Sequence, residues 1–304
     1  MTTVGDMMYH MGGVPVGGRI CTGDVYFVHS GTGSNSNEGK KPTSPVATID
    51  YAVGLCTASK DDIIYVMTGH TETVITDGGC TVDVNGVTIQ GLGEGDNRPL
   101  ISIETAVAAA FIVSAAGCVV DNMRFSIGID AATDPIQITG SGNIMRYCEV
   151  IEASACEALD IISIGADANR NKLHDIKIKG RNTTDGDAHC AIHLDGCDDC
   201  EIYNIVAYNG DWQESVIFNE GDECLLVHIH DCILHTAAVE DLCIVLDANA
   251  TGYIHDIKCV LKEDAANIDQ AIAPGNCHTF DPLLVVNAVA EKGIEWPGTD
   301  STDA

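Results

Sequence analysis

From about residue 120 onward, apolar residues fall into short alternating runs separated by Asn, Asp and Gly, and the runs repeat. Six six-residue units align: Val120–Phe125, Met145–Val150, Leu173–Ile178, Ile202–Ala207, Ile229–Leu234 and Ile254–Cys259. Their third residues are Asn122, Tyr147, Asp175, Asn204, Asp231 and Asp256, spaced by 25, 28, 29, 27 and 25 residues. A drifting period in this range, with strand alternation and almost no helical pattern, predicts an all-β solenoid. A single coil cannot bury its own apolar side chains, whereas coils stacked about 4.8 Å apart pair every strand with neighbours above and below. Positions one, four and six of each unit are then inward. The third positions Asn122, Asp175, Asn204, Asp231 and Asp256 are expected to form a polar ladder at a corner, because Asn and Asp tolerate the bend. Outward position two holds His174, Tyr203, His230 and His255, a stack of rings on the surface.

Before the repeats, Asp24–His29 reads as a strand, residues 30–41 as a Gly/Ser/Asn loop, and Ile63–Met67 as a buried strand. Between them a short capping helix is expected near 45–56, with Ser44 as its cap and Pro45 in its first turn. The expected organisation is an arm at 1–22, a solenoid of roughly ten coils at 23–261, and a cap and tail at 262–304 where the repeat breaks.

Composition narrows the partners. Hydrophobic residues make up 45% of the 304, enough for a large core, and 31 glycines suit a turn-rich β protein. Fifteen basic against 45 acidic residues leave a net charge of −30. Such a surface repels phosphate backbones and anionic lipids, so neither nucleic acid nor membrane is an expected partner. The opening residues lack the basic start and apolar run of an export signal, and production in a reducing cytosol is expected. Fourteen cysteines are then core thiols rather than bridges. Cys148, Cys232 and Cys259 fall on inward positions, and Cys197 and Cys224 share a register and are expected to stack.

The segments Tyr26–Gly39, Pro45–Ala52 and Asp62–Val74 resemble the N-terminal portion of right-handed parallel β-helix proteins of the pectate-lyase-like group, a likeness extending over residues 24 to 261. The Gly- and Met-rich opening is similar to that of tailed-bacteriophage virion structural proteins. Members of the β-helix group that cut polysaccharides suggest two chemistries to test. Hydrolases resemble clustered aspartates with a downstream His and an Arg/Lys pair. Asp185, Asp198 and Asp199 are the nearest arrangement here, but no Gly-His-Gly follows, and no arginine occurs after Arg181. Lyases imply a calcium site with an Arg or Lys base. Arg124, Arg146, Lys177 and Lys258 read as one outward basic row, balanced against the simpler role of offsetting nearby carboxylates. The lone Cys197-x-x-Cys200 has no partner pair, and no cofactor is expected; the one alternative is calcium on the acidic loops, although no defined calcium-loop spacing is present.

The phage resemblance implies a non-enzymatic virion component on the capsid exterior, a decoration or cement protein. Its expected partner is the major capsid or another virion protein, and its expected assembly a homotrimer. The alternative is a tailspike-like protein that binds or cleaves a host surface glycan. Residues 1–22 carry one acid, Asp6, and one base, Arg19, so the whole −30 resides in the remainder. Met7, Met8, Tyr9, Met11, Val14 and Val16 on this neutral arm are the expected attachment contacts, since thioethers and Tyr adapt to an apolar surface.

Overall fold

The computed structural model describes residues 22–153, 156–181, 189–219, 221–239, 242–262, 272–280 and 284–287. The expected arm residues and Asp185 lie outside them. The chain winds into a parallel β-solenoid whose described residues form three sheets of ten, nine and eight strands. We call these the first, second and third sheets, in the order each coil visits them. Among the described residues, the eight strands of the third sheet mark eight turns that contribute to all three, fewer than the roughly ten coils expected.

Burial explains the register. The inward positions of the six repeats are at most 2% exposed, from Val120 and Met123 to Ile257 and Cys259. They join one apolar cluster running from Tyr26 to Ile272. Strand pairing follows the repeat: Met145 faces Val120 and Leu173, and Ile229 faces Ile202 and Ile254. All six third-position residues adopt left-handed backbone, with φ between 52° and 59°. This residue alone turns the chain from the first sheet to the second, and the next residue again points inward. Asn and Asp reach that conformation at less strain than most residues, and Tyr147 reaches it with its ring half exposed.

A second polar ladder lies inside the opposite corner, before the first sheet. Asn171 is 1% exposed; its Oδ1 accepts the Asn143 N–H (2.7 Å) and its Nδ2 donates to the carbonyls of Ala168 (2.7 Å) and Gly140 (3.0 Å). Asn143 repeats the arrangement one turn earlier, accepting the Cys118 N–H (2.7 Å) and donating to Gly140 O (2.8 Å). Elsewhere the winding is so tight that glycine is required. A Cβ on Gly210 would lie 2.2 Å from the buried Trp212 ring, and one on Gly180 would lie 2.7 Å from it.

Two expectations are corrected. The helix, α1, spans Ile49–Leu55, and its cap is Thr48, whose hydroxyl accepts the Tyr51 N–H (3.3 Å). Ser44 and Pro45 do not start it because Val46 is recruited as a bridge beside Val28, which keeps that stretch extended. Ile49, Ala52 and Val53 of α1 close the N-terminal end of the core. The boundary at 261 also falls too early. Ile272–Ala273, His278–Phe280 and Leu284–Asn287 each add a parallel strand to one of the sheets. The repeat weakens there because Thr279 fills the register position that Ile254 holds one turn before.

The thirteen described cysteines are all free. Cys197 and Cys224 stack with their sulfurs 3.9 Å apart, both fully buried. Burial pushes the thiols of Cys148 and Cys232 up to about 12, which leaves them inert packing groups. No helix among the described residues is long and apolar enough to cross a membrane.

Candidate functional site

Chemistry-bearing side chains concentrate on the outward face of the first sheet, toward its C-terminal turns. Two columns run along it, because alternate residues of each strand share a face. One contains Arg146, His174, Tyr203, His230, His255 and Phe280; the other contains Lys172, Glu201, His228, Tyr253 and His278. In the first column the rings lie nearly parallel. His174–Tyr203 centroids are 4.6 Å apart, Tyr203–His230 4.9 Å and His230–His255 5.0 Å. Sandwiched between the Tyr147 edge and Tyr203, His174 is buried rather than a surface group. Tyr253 and Phe280 stay about half exposed at the far end and pack together at 5.8 Å.

The corner residues set the imidazoles. The Nδ1–H groups of His174, His230 and His255 donate to the carboxylates of Asp175 (2.7 Å), Asp231 (2.7 Å) and Asp256 (2.8 Å). The left-handed turn folds each Asp back onto the ring before it. These three carboxylates are therefore held by histidines, and the ladder's side-chain link between turns is the Asn204 amide donating to Asp175 (3.3 Å). Asn122 instead donates to the carbonyls of Gly91 and Gly93.

In the second column, Lys172 Nζ donates to Glu201 Oε2, and this ammonium holds the Glu201 carboxyl below its ordinary range. The other oxygen, Oε1, faces His228 Nδ1 at 3.8 Å and His230 Nε2 at 3.6 Å. The His228 and His255 Nε2 atoms are 2.8 Å apart. Burial, then the neighbouring His230 and His255, lower the His228 pKa. The sequence reading missed His228 and Glu201 because the six-residue unit started one position too late. Extending it by one residue exposes the column Lys172, Glu201, His228, Tyr253 as a second outward row.

Of the expected catalytic aspartates, Asp198 holds backbone with its side chain. Asp198 Oδ1 accepts the Leu225 N–H (2.8 Å), and its own N–H donates to Asn169 Oδ1 (2.7 Å). Asp199 sits beside it in a left-handed bend, exposed. Both tie successive turns together.

The expected basic row is not one row. Arg146 precedes its corner residue and lies on the first sheet, where it pairs with Asp121 (2.8 Å). Arg124 follows its corner residue and lies on the second sheet, where Glu149 stands between it and Lys177. Arg98 and Arg124 both bind Glu149, at 2.7 and 3.2 Å. These three arginines compensate carboxylates.

No family model matches the chain, and no curated protein matches it. Among solved structures it is similar to pectate lyase Pel9A, with 11% identity, a TM-score of 0.57, and coverage of 90% of this chain and 79% of that one. A rhamnogalacturonan lyase aligns with 10% identity, a TM-score of 0.45, and coverage of 78% and 74%. The first likeness establishes the architecture: this chain has the parallel β-helix fold of pectate lyase Pel9A.

Proposed function

We propose that this chain is a glycan-binding β-helix protein whose recognition surface is the outward face of the first sheet. The carrying observation is the double column of rings and polar groups from Lys172 and His174 to His278 and Phe280. Sugars are held by apolar ring surface combined with a few fixed hydrogen-bonding groups. Tyr253 and Phe280 offer the former; Tyr203, His228 and Glu201 offer the latter. The fold shared with a polysaccharide lyase supports this reading. Both Lys/Arg side chains in the strands of this sheet, Arg146 and Lys172, are neutralised by carboxylates, which favours a neutral glycan over a uronate polymer. The backbone role of Asp198 favours binding over cleavage. Screening the full chain against immobilised neutral and acidic glycans tests the proposal. Retention on a neutral glycan that is lost in Tyr253→Ser is expected, and no retention on any glycan would overturn it.

A second reading, a virion decoration protein attached through residues 1–22, is favoured by the neutrality of that arm against an acidic body. Hundreds of copies on purified particles, lost when 1–22 is deleted, would support it. Absence from particles would remove it.

A further inference from the structure

We propose that Glu201, His228 and His230 bind a divalent transition metal of the zinc class, leaving one coordination position for water or a ligand. The site is defined by where its lone pairs point and does not depend on the glycan reading. His230 gives its Nδ1–H to Asp231 (2.7 Å), so its Nε2 carries a lone pair. That nitrogen is buried and has no hydrogen-bond partner; Glu201 Oε1, at 3.6 Å, is too distant for one. His255 gives its Nδ1–H to Asp256 (2.8 Å), so its Nε2 accepts, and His228 Nε2–H donates to it across 2.8 Å. The remaining nitrogen of His228, Nδ1, then also bears a lone pair, 3.8 Å from Glu201 Oε1. Lys172 occupies the other Glu201 oxygen and fixes Oε1 toward the two imidazoles.

With His230 neutral, three acceptors thus converge without a proton among them, and one ligand atom from each residue lies within 4.8 Å of the others. Lone pairs so placed repel unless a proton, a water or a metal cation lies between them. A tetrahedral ion with bonds of about 2.0–2.1 Å separates its ligand atoms by about 3.4 Å. The observed 3.6 and 3.8 Å from Glu201 Oε1 require closure of a few tenths of an ångström, and the two imidazole ligand atoms lie within 4.8 Å of each other. Two imidazoles and one carboxylate suit zinc, cobalt, nickel or copper, whereas calcium and magnesium take oxygen ligands. The outer groups are those expected of such a site: Asp231 orients one imidazole, His255 the other, and Lys172 the carboxylate. Successive turns supply the set, with Glu201 from one strand and both histidines from the next.

The test uses the untagged full chain after chelation, titrated with ZnCl2 by calorimetry and with CoCl2 by visible absorption. One tight zinc equivalent is expected, with cobalt bands of a four- or five-coordinate N/O site. Glu201→Gln, which preserves size, and His230→Ala should each weaken zinc by roughly 10-fold or more. His193→Ala, on the third sheet, should not. Circular dichroism and melting of each variant separate loss of the site from loss of the fold. Absence of a tight equivalent, unchanged affinity in a folded His230→Ala variant, or thiolate-to-cobalt charge-transfer bands pointing to the cysteines would overturn the proposal.

Discussion

Replacing Asn171 by Ala tests how the coils are held in register. The substitution removes three hydrogen bonds inside the solenoid, to Asn143 N, Gly140 O and Ala168 O. The two carbonyls keep one contact each, from the Asn143 amide (2.8 Å) and the Cys200 thiol (3.6 Å). The Asn143 N–H loses the side-chain acceptor it has in the fold. Stranding a buried donor costs about 2 kcal/mol, and two further bonds contribute about 0.5 kcal/mol each, so a loss of about 3 kcal/mol is expected. Urea unfolding followed by circular dichroism measures it. Asn169→Ala is the control: half-buried and giving up one bond, to Asp198 N, it should lose about 1 kcal/mol. Because a solenoid transmits damage mainly to adjacent coils, amide exchange at Cys118 and Asn143 should rise well above that in distant turns. Equal midpoints for the two variants, or a loss below about 1 kcal/mol at Asn171, would refute the role assigned to this internal ladder.

Gly210→Ala drives a methyl into the Trp212 ring and should destabilise by about 3 kcal/mol or more, with altered Trp fluorescence in the native state. At the external corner, Asn204→Gly should be nearly neutral, whereas Asn204→Val, β-branched at φ 52°, should cost about 2 kcal/mol in the same urea assay. Buried Glu152 titrates at about 7 rather than 4.5, because desolvation outweighs the N–H groups of Ala158 and Arg181 that favour its charged form. Since its folded pKa is raised, its contribution is full below about pH 4.5 and is lost as pH rises through about 7, roughly 3 kcal/mol in all. Glu152→Gln should therefore gain on the wild type between pH 5 and pH 8, and parallel pH profiles would contradict this. Thiol reagents should leave Cys148 and Cys232 unmodified until the protein unfolds.

What could be read from the sequence followed from burial. Val120, Met145, Leu173, Ile202, Ile229 and Ile254 recur because each must cover the same strip of core, and a left-handed corner selects Asn and Asp. What could not be read depended on side chains reaching across turns. Asn143 and Asn171 lie 28 residues apart and one position before the first-sheet strands, where Cys118 and Cys200 occupy the same column, so no residue type recurs in every turn. Ser44 and Pro45 looked like a helix start, but pairing of Val46 with Val28 outweighed that local preference. Arg124 and Arg146 looked alike in charge, yet the corner residue between their positions places them on different sheets. The Glu201, His228 and His230 group required the alternation to be extended by one residue and the Asp-held tautomers to be known.

The claim that the outward face of the first sheet is the working surface is tested most directly by placing one charge on each face in turn. Tyr203→Glu alters the first sheet, Ile233→Glu the second and Gln137→Glu the third. Retention of each folded variant on the glycan that retains the wild type is then measured. Loss in Tyr203→Glu with retention in the other two is the predicted result; retention by Tyr203→Glu, or loss in Ile233→Glu or Gln137→Glu instead, would contradict it.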